Sequence, residues 1–152
     1  MSSNNRRLAV VIAVAMSICL AGCIGFAPRY DEVLDEKTTS AYEKISTFLA
    51  EVELGKYEKS ESFAEASDDY AKIQGLLAVA ALRAVTLPVP TRGTAARGKA
   101  MLVSMIQGCK ASIATLGALH KSGGLKPNTG TPAGAQVKCD QAAKAARAMK
   151  GS

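Results

Sequence analysis

Apolar residues follow two different patterns along this chain. Residues 8–20 are uncharged and almost continuously apolar, whereas beyond residue 30 the apolar positions are spaced. Leu34, Ala41, Ile45, Phe48 and Val52, with Tyr42 and Leu49 beside them, recur at three, four or seven residues, which predicts a helix over residues 31–54 ended by Gly55. Phe63, Ala66, Tyr70, Ile73, Leu77, Ala80 and Ala84 predict a second helix over about 61–85. Ser62 and Glu65 have the spacing of a capping box at its start, and Pro88 and Pro90 end it. A third stripe, Leu102, Ile106, Cys109, Ile113, Leu116 and His120, sits between Thr94, a candidate N-cap, and the terminator Gly123-Gly124. Gly108 and Gly117 lie within it as candidate points of close helix contact. Thr131-Pro132 then reads as N-cap and first residue of an Ala-rich helix with Ala135, Cys139, Ala142, Ala146 and Met149 on one face. No alternating strand pattern and no internal repeat occurs, so the expected fold is all-α, an antiparallel bundle of about four helices over residues 31–150.

The first apolar run has a different meaning. Arg6 and Arg7, the run 8–20, and the small residues Ala21 and Gly22 stand in the order of a secretory signal peptide, and the run is too short to span a bilayer. Arg6-Arg7 is not followed by the twin-arginine pattern. Leu20-Ala21-Gly22-Cys23 resembles the bacterial lipobox residue for residue. That resemblance implies cleavage after residue 22, lipid (diacylglyceryl, with an acyl chain such as palmitate) on Cys23, and a linker over 23–30. An ordinary signal peptide cut elsewhere is the alternative. Ile24, where an Asp would favour inner-membrane retention, implies the outer membrane, inner leaflet, facing the periplasm.

Export changes how the cysteines are read. Cys19 leaves with the signal and Cys23 takes lipid, so Cys109 and Cys139 remain in an oxidising compartment, enough for one disulfide. Both fall on apolar stripes of helices joined by a short loop, which favours pairing, with two unpaired buried thiols as the alternative. Closing a 30-residue separation would contribute about 3.6 kcal/mol on the loop-entropy account.

Charge divides the mature chain. Residues 29–72 carry 12 acidic and 6 basic side chains, whereas residues 73–152 carry only Asp140 against 11 basic ones. The basic half can neutralise the acidic half, lie against lipid headgroups, or form a docking face for an envelope protein. Nucleic acid is not an expected partner of an exported chain.

Candidate chemistry is sparse. The stretch from Gly93 through Gly98-Lys99 has the spacing of a phosphate-binding loop, but Ala100 stands where Ser or Thr must hold Mg²⁺ and no strand precedes it. His120, the only histidine, could form a nucleophile and base set with Ser104, Ser112 or Ser122, or simply be packed at the end of its helix. Asp31, Glu32, Asp35 and Glu36 could hold a divalent cation, or mark a helix start that favours acidic residues. There is no Trp and no aromatic grouping in the sequence that suggests a sugar-stacking site. No catalytic residue, cofactor or metal is assigned.

Tyr30-Asp31, Asp35, Thr38, Leu119-His120, Gly124-Leu125 and Gln136-Val137 resemble a group of small helical bacterial lipoproteins with no assigned function. The resemblance implies a helical bundle in the cell envelope and transfers no catalytic residue. The expected function is a lipid-anchored periplasmic interaction or scaffold module, not an enzyme. The alternatives are a bundle that binds a small apolar or peptide ligand in its core, and a hydrolase built around His120.

Overall fold

Four helices form where the apolar spacing places them. The computed structural model describes residues 30–89 and 91–151. The expected signal peptide, the Leu20-Ala21-Gly22-Cys23 motif and the linker up to residue 29 lie outside the described residues. Helix α1 is Glu32–Glu53, α2 Phe63–Thr86, α3 Thr94–Gly123 and α4 Gly130–Ala148, with 3₁₀ turns at Ser60–Ser62 and Met149–Gly151 and no strand among the described residues.

Each helix packs against its neighbours in the chain, and α4 closes against α1. Sequential contact through short connections produces an up-down-up-down bundle, since a short loop can only return the chain beside the helix it left. The apolar stripes form one core: Leu34, Ile45 and Val52 from α1, Ile73 and Leu77 from α2, Ile106, Ile113 and Leu116 from α3, and Ala135, Ala142 and Ala146 from α4. Burying a Leu or Ile contributes roughly 1.5–3 kcal/mol, so the first three helices supply most of the core's energy and α4 lets the backbones come close. A covalent bond compensates for the small side chains of α4. Cys109 and Cys139, 15 residues to either side of Gly124, have their Cα atoms 4.6 Å apart and their sulfurs bonded.

Asp31 caps α1 by accepting from the Leu34 N–H at 2.8 Å. At the other end of α1, Gly55 takes φ +79°. Lys56 N–H then reaches the Glu51 carbonyl and Gly55 N–H the Val52 carbonyl, which is the Schellman closure that a glycine in the left-handed region permits.

Three expected helix starts differ. The Ser62/Glu65 capping box does not form: the preceding 3₁₀ turn already gives Ser62 helical backbone angles, and its hydroxyl bonds elsewhere. Gly93, at φ +90°, is the N-cap of α3, and Thr94 is its first helical residue. Helix α4 begins two residues early, with Thr129 in extended geometry as its N-cap. Asn128 makes the turn at φ 56°, and Pro132 sits in the first turn, where its missing N–H costs no helical bond. The glycines of α3 also divide: a Cβ on Gly117 would lie 3.5 Å from the Tyr70 ring, whereas Gly108 faces open space and is no contact point.

Candidate functional site

The connection from α1 to α2 and the connection from α3 to α4 meet at one end of the bundle. The Leu125 N–H donates to the Tyr57 carbonyl at 2.6 Å. Gly124, at φ +78°, lies so close to the other loop that a Cβ there would stand 2.0 Å from the Glu58 carbonyl oxygen. Only a residue without a side chain allows the two backbones to join.

Beneath this joint lies His120, in the last turn of α3 and completely buried. Four rings surround it: the centroids of Tyr57, Phe63, Tyr70 and Phe48 are 5.3, 5.5, 5.9 and 6.5 Å from the imidazole. Phe48 in turn stacks on Tyr57 at 4.9 Å. No such grouping is visible along the sequence, because the four aromatic residues come from α1, the first loop and two turns of α2. Phe48, Phe63 and Tyr70 lie on stripes of α1 and α2 that meet where His120 ends its own, and Tyr57 is in the loop that joins those two helices.

Both imidazole nitrogens have partners. Nε2 is 2.9 Å from Ser62 Oγ and Nδ1 is 3.3 Å from the Tyr70 hydroxyl. Ser62 donates its single hydroxyl hydrogen to the Lys59 carbonyl, so its oxygen accepts from His120 and the imidazole hydrogen sits on Nε2. Nδ1 is then left as an acceptor, which Tyr70 fills. The chain of hydrogens runs from Tyr70 to His120 to Ser62 to Lys59. Burial lowers the His120 pKa, which favours this neutral form, and raises the Tyr70 pKa, which keeps the phenol protonated. Tyr57 turns its hydroxyl outward to Glu51 Oε2, a bond that lowers the Glu51 pKa.

This polarity is opposite to that of an activated serine, whose hydrogen points to an unprotonated imidazole nitrogen. The third group is a neutral phenol, not a carboxylate. The serines expected beside His120 are elsewhere: Ser112 and Ser122 donate to the carbonyls of Gly108 and Leu119, and Ser104 is exposed. Ser62, read from the sequence as a cap, is the one that meets it.

The other candidate residues are engaged in the fold. Lys99 of the phosphate-loop-like stretch donates to the Leu87 carbonyl at 2.8 Å from within α3, so no loop precedes it to cradle a phosphate. Asp31 caps α1 and pairs with Arg83, Asp35 accepts from the Tyr30 hydroxyl, and Glu36 pairs with Lys37. No group of three metal-binding side chains occurs among the described residues. Surface grooves among the described residues include the following pair. One, of about 300 Å³, lies between α1 and α4 and is lined by Ser46, Glu53, Pro132 and Gln136. The other, of about 290 Å³, runs along α1 past Glu43, Glu51 and Asp69.

No protein-family model, curated protein or solved structure matches this chain.

Proposed function

We propose that this chain is a lipid-anchored envelope protein whose bundle is a non-enzymatic interaction or scaffold module at the periplasmic face of the outer membrane. The Leu20-Ala21-Gly22-Cys23 motif supports the anchor and Ile24 the outer membrane. The observation that carries the non-enzymatic part is the hydrogen-bond order at His120. The sole imidazole is sealed by four rings and commits its only hydrogen to Ser62, so no base is poised over a nucleophile. What remains for function is the surface, acidic on α1 and the start of α2 and basic beyond, which suits docking to an envelope partner through residues 73–152.

The core-ligand alternative is tested by a native mass spectrum, in which a co-purified small molecule would favour it over the main proposal. The hydrolase alternative requires Ser62 to react, and treatment with a fluorophosphonate probe is expected to leave it unlabelled.

Affinity capture with the full-length protein in its own membrane, set against a Cys23→Ser form, tests the main proposal. Lipid on the peptide that begins at Cys23, and a partner recovered only with the anchored form, are the expected results. An unlipidated Cys23, or the absence of any partner specific to the anchored protein, would overturn it.

A further inference from the structure

The end of the bundle opposite His120 is where the chain enters from residue 29, and its surface combines two features. Four large apolar side chains stand exposed within the last turns of α2 and the first turns of α3: Leu82 (66%), Met101 (57%), Val85 (51%) and Val79 (42%). They lie away from the buried stripes of their helices, so the core makes no use of them. Helix α3 is also the one helix among the described residues long and apolar enough to cross a membrane, yet only 28% of its most apolar window is buried. Its apolar character therefore extends to the outer side, beyond what packing requires.

Among these turns of α2 and α3 the charged side chains are cationic, and one of them, Arg83, pairs with Asp31 at the start of α1. From residue 70 to residue 139 the chain has no Asp or Glu, while Arg83, Arg92, Arg97 and Lys99 belong to the same segment of the chain as the exposed apolar group. Arg92 and Arg97 are exposed and outside any of the ion pairs present among the described residues. Exposed apolar side chains accompanied by unpaired cations complement a surface that is anionic outside and apolar beneath, which is the surface of a bilayer with acidic headgroups.

Chain length places that surface within reach. Tyr30 lies seven positions beyond Cys23, at most about 25 Å when fully extended. With lipid on Cys23, the Tyr30 end of the bundle stays beside the bilayer. We infer that the outer faces of α2 and α3 at the Tyr30 end, with Leu82, Val85 and Met101 inward and Arg92 and Arg97 at the rim, dock on anionic phospholipid headgroups and fix how the bundle stands on its membrane. This rests on the anchored reading above and adds an orientation to it.

The chain has no Trp, so a single introduced indole reports its own surroundings. The chain from Cys23 onward holds every described helix and can be coupled through the Cys23 thiol to a maleimide headgroup on vesicles. This supplies the tether whether or not cells lipidate that residue. On phosphatidylcholine vesicles containing phosphatidylglycerol, Leu82→Trp is expected to shift to the blue and to be quenched by brominated acyl chains, and Leu54→Trp, at the far end, is expected to do neither. Changing Arg92 and Arg97 to Ser should lower the docked-to-free ratio about fivefold for each cation removed. A water-like, unquenched indole in Leu82→Trp overturns the inference, as does equal quenching at both positions. A blue shift without bromolipid quenching, together with cross-linked dimers, assigns the face to a second copy and overturns it as well. A docked indole combined with an unlipidated Cys23 in cells refutes the anchor and leaves the docking surface intact.

Discussion

Ser62 Oγ and His120 Nε2 come from residues 58 positions apart and stand 2.9 Å apart, and the hydrogen between them belongs to the imidazole. The geometry of a catalytic pair is present with the direction of donation reversed. The bond serves to hold the start of α2 against the end of α3, under the aromatic rings and beside the joint between the two loops.

Stability should depend on pH through His120. Burial depresses its pKa in the folded protein below the ordinary 6.5, so the unfolded chain takes up the proton first as pH falls. The contribution is fully present above about 6.5 and is lost as pH falls from there down through the depressed folded value. Urea midpoints at pH 7.5 and 5.5 are expected to differ in the wild type and to converge in His120→Gln. Equal midpoints in the wild type would count against a neutral buried imidazole.

Removing the Tyr70 hydroxyl leaves Nδ1 buried without its donor. Tyr70→Phe should cost about 1–3 kcal/mol, read from denaturant unfolding, because an unsatisfied buried acceptor is not rehydrated. In a His120→Phe background the same change should cost much less. Equal costs in both backgrounds would show that the two groups do not interact.

Two glycines separate backbone necessity from helix propensity. Gly124→Ala places a methyl group on the Glu58 carbonyl at a positive φ, and is expected to destabilise by at least about 2 kcal/mol or to open the contact between the loops. Gly108→Ala meets nothing within 4 Å and should stabilise α3 by up to about 1 kcal/mol. Thermal unfolding of the two variants should therefore move in opposite directions.

The disulfide between Cys109 and Cys139 closes a separation of 30 residues, so its removal by paired Ser substitution should cost about 2–4 kcal/mol. Peptide mapping without reduction is expected to recover the two cysteines linked. Recovery of free thiols at both positions in protein purified without reductant would contradict this.

A good deal of the bundle was legible in the sequence, because helical burial is periodic and periodicity is written locally. The stripe positions of α1, α2 and α3 are the buried positions apart from the half-buried Tyr42 and Phe63, and Gly55 and Gly124 follow helix ends at positive φ, which glycine permits. Cap identities were less legible. Ser62, Thr94 and Thr131 each have the right chemistry for an N-cap, but a preceding 3₁₀ turn, a glycine at φ +90° and an Asn at φ 56° shift the geometry by a residue or two. A hydroxyl also goes to whichever partner the packing offers, and Ser62 was offered His120.

Four amphipathic helices, two cysteines on apolar stripes and a division of charge between the halves can all be read along the chain. All of these follow from spacing within one segment or from counting along the chain. Helix packing is what brings Phe48, Tyr57, Phe63 and Tyr70 around His120, points its hydrogen to Ser62 and rests Gly124 on the Glu58 backbone. Those relations join residues from different helices and loops. Their distances depend on how the helices are rotated and slid against one another, which local spacing does not encode.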